Sequence, residues 1–215
     1  MSVKMRPRCL GVPVFRGGQR PLASARGITL LEVMLMMVVT TAIVAGLAPT
    51  LSATLGNARA VRATTDMNGI RTAIVNARAD GRTRFTNNGT TGAASAISFL
   101  YSDGDIPEVG SAAAWQNTAA DNVNDFLEEH LVLNSFNGGT SYPTGGGAAW
   151  RGAYINAPID PDPWGNRYAV NVQYMGPSNN DVVVYSAGPD EEVDTTSTGN
   201  PLIVVDDDLL VLVEA

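Results

Sequence analysis

From Ile28 to Ala48 the chain is apolar almost without interruption, and the only carboxylate inside the run is Glu32. A helix needs roughly 20 apolar residues to cross a bilayer, so this run predicts a transmembrane helix over 28–48. Beyond Pro49 the pattern becomes a stripe. Leu51, Leu55, Met67, Ile70, Ile74 and Ala77 recur at three- and four-residue spacing, with Arg59, Arg62, Arg71 and Arg78 on the polar side. That period predicts an amphipathic continuation of the helix over 49–81, with the stripe packed on the domain that follows. Asp80-Gly81 supplies the stop. The arginines read as a solvated face, with lipid headgroups or acids of an adjacent copy as the other possible contacts.

The pattern then weakens. Residues 82–152 form a variable helical and loop region with turns at Asn87-Asn88-Gly89 and Gly92. A short helix is expected over Ala93–Tyr101 and a better one over Asn122–Leu133, where Val123, Phe126, Leu127 and Leu131 share a side. Residues 153–215 carry strand signals. Asp160-Pro161-Asp162-Pro163-Trp164-Gly165 is a turn-rich entry in which Gly165 supplies a backbone conformation closed to other residues. Strands are expected over Tyr168–Tyr174 and Asp181–Tyr185, joined as an antiparallel hairpin through Gly176–Asn180, with Leu202–Val205 or Leu209–Val213 pairing beyond. Trp164 reads as a core or sheet-edge plug.

Charge separates the chain into two parts. The formal net charge is −7, yet Lys4, Arg6, Arg8, Arg16, Arg20 and Arg26 all precede Gly27 with no acid among them. A basic leader of this kind holds the N-terminus on the cytoplasmic side and sends the rest across the membrane. Ala48-Pro49 is a poor cleavage site, so processing is expected before the apolar run, at Gly27. Its removal leaves eight Lys and Arg against 21 acids, a balance of −13, which argues against nucleic-acid binding. Cys9, the only cysteine, leaves with the leader, so the remainder has no disulfide.

Glu32 is costly where it stands, since a carboxylate inside a membrane helix needs a partner or an interface. Cleavage after Gly27 would make the Ile28 amine a cation about one helical turn away. Between copies staggered along a filament, amine and carboxylate can neutralise each other; the alternative is a carboxylate snorkelling to the headgroups.

Catalytic chemistry finds little support. His130 is the sole histidine and reads as a helix-surface residue, so zinc and histidine relays are disfavoured. No Gly-x-Ser-x-Gly elbow occurs, and Gly138-Gly139 and Gly145-Gly146-Gly147 lack the Lys-Ser or Lys-Thr of a phosphate loop. The chain is read as no enzyme. The remaining chemistry lies in Asp190-Glu191-Glu192-Val193-Asp194 and Asp206-Asp207-Asp208, which are either a solvated acidic loop or a cation site. Calcium suits carboxylates and carbonyls in an adaptable geometry better than magnesium or soft metals do.

Two motifs carry a resemblance. Gly27 followed by Ile28-Thr29-Leu30-Leu31-Glu32-Val33 resembles the prepilin peptidase site of type IV pilins and type II secretion pseudopilins, although phenylalanine is the usual residue at the Ile28 position. Asp162-Pro163-Trp164-Gly165-Asn166-Arg167-Tyr168, with Val184-Tyr185-Ser186-Ala187-Gly188-Pro189-Asp190 and a later Asp-Asp-Asp-Leu, resembles the C-terminal region of the major pseudopilin of type II secretion.

The resemblance implies an α+β, type IV pilin-like fold, a long N-terminal helix packed on a small C-terminal antiparallel sheet with an acidic calcium loop. It implies cleavage after Gly27, methylation of Ile28, assembly through Glu32 and a helix kink at Pro49. It further implies calcium ligands at the Ala187 carbonyl, Asp190, Asp207 and Asp208, completed by Asp194 or the Val193 carbonyl. Glu191 and Glu192 depart from the family by standing where a glycine-containing turn is expected. The implied function is a structural subunit that polymerises with itself and with minor pseudopilins into a periplasmic pseudopilus. Its partners would be prepilin peptidase, a cytoplasmic ATPase and an inner-membrane assembly platform. The rivals are a surface type IV pilin for adhesion, motility or DNA uptake, and a membrane-tethered sugar- or peptide-binding domain using Trp115 and Trp150.

Overall fold

The computed structural model describes residues 27–81, 84–86, 96–112, 115, 125–136, 141–156, 158–176 and 178–214. Residues 1–26 of the expected leader, the turns at Asn87-Asn88-Gly89 and Gly92, Val123 and Gly138-Gly139 lie outside the described residues. The chain divides into two compact units, Met1–Leu47 and Ala48–Ala215.

Helix α1 runs Leu30–Ala79. Thr29 starts it: its hydroxyl accepts the Glu32 N–H at 3.3 Å, and its carbonyl accepts the Glu32 and Val33 N–H groups. Thr29-x-x-Glu32 thus has the spacing of a capping box. Among the described residues of the first unit the apolar side chains are all exposed, including Leu30, Met34, Val38 and Leu47. Thr40 and Thr41 return their hydroxyls to the carbonyls of Met36 and Met37 at 2.8 and 2.6 Å. Their polar groups are therefore satisfied within the helix, as a hydrocarbon surrounding demands. The segment is long and apolar enough to cross a membrane.

In the second unit, Ala63, Met67, Ile70, Ala73, Ile74 and Ala77 form the buried stripe of α1. Leu51 and Leu55 do not join it and stay exposed, so the packed face begins a few turns later than the spacing predicts. Arg71 and Arg78 are more than a solvated face. Arg71 Nε donates to the Leu212 carbonyl at 2.6 Å and Arg78 pairs with Glu214, which ties the helix to the last strand.

The sheet has the order β1-β3-β4-β6, from Leu100–Tyr101, Ala169–Val170, Val182–Ser186 and Leu209–Glu214, all antiparallel. The expected β3–β4 hairpin forms, pairing Ala169 with Tyr185 and Val170 with Val184. β4 is buried at every position because both faces of the sheet are covered. Leu100, Val170, Val182 and Val184 point into the core with α1, whereas Tyr101, Ala169, Val183 and Tyr185 point into a second core with Phe99, Ala112, Trp115 and Val193. The middle of the chain is thus the second layer. Its β2, Glu108–Val109, pairs in parallel with β5, Glu192–Val193.

Three local expectations are overturned, and one open choice is decided. The described part of Ala93–Tyr101 is extended: Ala96 bridges Thr86, and β1 follows. Burial of Ile97, Phe99, Leu100 and Tyr101 against the sheet outweighs the helix propensity of the alanines. The ladder of β3 stops at Val170. Asn171 takes over, its Nδ2 donating to the Asp181 and Ser197 carbonyls and its Oδ1 accepting from Val183, so Val172–Tyr174 becomes a 3₁₀ turn. Of the two C-terminal options, Leu209–Glu214 pairs, while Leu202–Val205 makes no strand and Asp181 Oδ2 accepts the Leu202 N–H.

The third correction concerns His130. It is fully buried, in a π-helical turn over Glu129–Leu133, with Nδ1 2.7 Å from the Tyr142 hydroxyl and its ring among Phe85, Phe136 and Tyr142. A buried imidazole needs such a partner, and the only signal for one was a tyrosine twelve residues away. Leu127 and Leu131 are buried as expected, but Phe126 is exposed.

Candidate metal centre

The two C-terminal motifs of the resemblance meet through one hydrogen bond. Ser186 Oγ donates to Asp162 Oδ2 at 2.7 Å, while Asp162 Oδ1 accepts the N–H groups of Trp164 and Asn166 at 3.0 and 2.9 Å. Gly165 sits at φ 105°, the left-handed conformation its turn requires. This buried knot fixes the end of β4, from which Ala187 passes into the second core and the chain turns at Gly188–Glu191. Trp164 is half-buried beside it.

Alternation along the next residues brings acids together. Glu192 and Asp194 are spaced by two along and just past β5, where alternate side chains share a face, and the left-handed Glu191 turns the chain so that Asp190 joins them. One carboxylate oxygen from each lies within 4.8 Å of the others. Glu192 is the member that sequence reasoning missed, and the signal was that period of two. Asp190 and Glu192 are exposed and Asp194 is half-buried.

The downstream aspartates serve two different ends. Asp207 lies against the turn: a side chain on Gly188, at φ 75°, would run into the Asp207 carbonyl. The Asp207 carboxyl is pushed up to about 6, first by desolvation and then by the charge of Asp190, with which it shares a hydrogen bond. Asp208 is buried and framed. Its Oδ1 accepts the Tyr185 hydroxyl at 2.6 Å, and its Oδ2 accepts the N–H groups of Thr195 and Asp194 at 2.6 and 3.2 Å. Burial raises its pKa while those hydrogen bonds pull it down.

The middle of the chain closes the other side. Glu108 N–H donates to the Glu191 carbonyl and Ala112 N–H to the Val193 carbonyl, each at 2.9 Å. Ser111 N–H donates to Asp194 Oδ1 at 2.6 Å, and Ser111 Oγ donates to the Asp194 carbonyl at 3.0 Å. Trp115 Nε1–H donates to the Thr195 carbonyl at 2.8 Å, with its ring stacked on Tyr185 at 4.6 Å. Trp115 is therefore spent inside the core, and Trp150 donates its N–H to the His130 carbonyl at 3.2 Å. Neither indole is a free stacking platform.

The donor set is all oxygen, and none of the ion pairs among the described residues reaches these carboxylates. Such a set fits a hard divalent cation and can hold a metal ion. At the other end, Gly27 and Ile28 are exposed ahead of α1, Glu32 lies in its first turn, and Pro49 is inside it. There an acid is favoured by the helix dipole as well, and Pro49 has no N–H for the Ala45 carbonyl.

No curated protein and no solved structure matches this chain. Residues 135–203, which span β3, β4 and the Asp190–Asp194 acids, match the family described as type II secretion system (T2SS), protein G, the major pseudopilin.

Proposed function

We propose that this chain is a structural subunit of a type II secretion pseudopilus, anchored by its N-terminal helix and without catalysis of its own. The observation that carries the reading is the family match over residues 135–203. An exposed apolar helix at the other end of the chain supports it.

In this reading a prepilin peptidase cuts after Gly27 and the Ile28 amine is methylated. The protein sits in the inner membrane with residues beyond α1's apolar part in the periplasm. Copies then pack their apolar helices together, with minor pseudopilins, on an inner-membrane platform driven by a cytoplasmic ATPase. Glu32 of one copy neutralises the Ile28 amine of a neighbour, and Pro49 is the bending point of the helix. Calcium, when bound, screens the mutual repulsion of Asp190, Glu192 and Asp194, with Asp207 and the Ala187 carbonyl as further donors and Asp208 as ligand or frame. Those residues then hold the turn after β4 in one conformation.

N-terminal sequencing of the protein from its native membrane tests the anchor, with Ile28 expected first; a retained basic leader sinks the reading. Glu32→Gln separates charge from capping, because glutamine keeps the Thr29-x-x-Gln spacing but has no charge to offer an amine. The variant is expected to insert and be processed yet fail to form fibres. Normal fibres would remove the pairing. Loss of the gene should block export of folded proteins; surface fibres lost with export intact would favour a type IV pilin.

A further inference from the structure

We propose that Gly110 and Ser111 are positioning residues for the cation group, acting through Asp194, so that the site is composite and built partly from the middle of the chain. The inference rests on the calcium reading above.

Asp194 is the acid of the three whose carboxylate is held by the middle of the chain. The Ser111 N–H bond to Asp194 Oδ1, at 2.6 Å, is charge-assisted and fixes a side chain that would otherwise choose among rotamers. The Ser111 hydroxyl holds the main chain of the same residue.

Gly110 makes that approach possible. A Cβ there would run into Asp194 Oδ1 and would lie 2.7 Å from the Val193 carbonyl and 2.9 Å from Asp194 Cγ. The Gly110 backbone is not left-handed, so space alone demands the glycine. On the opposite flank, Trp115 and Asp208 hold Thr195 by its carbonyl and N–H. The loop is thus clamped on both sides of Asp194, and only one clamp belongs to the C-terminal motif.

The test is a calcium titration of the full-length protein in detergent, by calorimetry, with melting of the chelated protein measured alongside. Gly110→Ala should weaken calcium binding about tenfold or more, the usual cost of disturbing a group that orients a ligand. In an Asp194→Ala background the same substitution should add little, since its effect passes through that carboxylate. Ser111→Ala, which loses only the hydroxyl bond, should weaken binding about fivefold and serves if Gly110→Ala does not fold. Unchanged affinity in the variants, or an equal loss in the Asp194→Ala background, overturns the positioning role and leaves the calcium reading standing. No calcium binding by the wild type overturns both.

Discussion

The Tyr185 hydroxyl donates to Asp208 Oδ1 at 2.6 Å, which places a buried carboxylate at the junction of β4, β6 and the acidic loop. Tyr185→Phe leaves that oxygen buried without this donor, at a cost of about 1–3 kcal/mol. Urea denaturation of the chelated protein should show the loss. An unchanged midpoint would mean that the Asp194 and Thr195 N–H groups suffice to hold Asp208.

Calcium should stabilise the folded protein by binding only the ordered loop. At 100 times its Kd the gain is about 2.7 kcal/mol, which corresponds to a rise in Tm of about 5–10 °C for a chain of this size. Asp190→Ala and Asp194→Ala should lose most of that rise and change the melting of chelated protein little. Equal melting of the wild type with calcium and with chelator removes the cation.

Glu191 occupies left-handed backbone at φ 66°, at a position where the resembled family has a glycine-containing turn. A side chain there costs about 1–2 kcal/mol, partly offset by the greater freedom of glycine in the unfolded chain. Glu191→Gly should therefore raise stability by about 0.5–1 kcal/mol in thermal or urea unfolding. A loss of stability would assign the Glu191 side chain a contact that outweighs the strain.

Glu129 gives a pH signature. Desolvation raises its carboxyl above the usual range, a backbone hydrogen bond from Phe126 offsets part, and the charge of Asp125 adds to the rise. A folded pKa above the unfolded one means that the folded state prefers the protonated form. Its stabilising contribution is complete below the unfolded value near 4.5 and is lost as pH rises through the folded value. Glu129→Gln should thus melt higher than wild type at neutral pH, with the gap shrinking as pH falls toward 4.5. A gap that widens on acidification would reverse the sign of the burial effect.

Legibility followed the range of each interaction. α1 was readable because Met67, Ile70, Ile74 and Ala77 announce a helix face within a few turns. Gly165 and the β3–β4 hairpin were readable from turn chemistry confined to a few residues. His130 was not, since burial depends on Phe85, Phe136 and Tyr142, which converge only in the folded chain. Nor were β2 and β5, whose two-residue strands are too short to show a period and whose parallel pairing joins segments 84 residues apart. The acids of the centre could be named in advance, but the Ser111 bond that orients Asp194 spans 83 residues and leaves no local trace.

By itself, the sequence determined the elements whose cause is local: the apolar helix, its packed stripe, the glycine turn and the supply of acidic ligands near the C-terminus. Tertiary structure alone decided that the middle of the chain covers the second face of the sheet and grips the acidic loop. The physical reason is that β4 is apolar on both faces, which declares a need for two cores without saying which distant residues will fill the second.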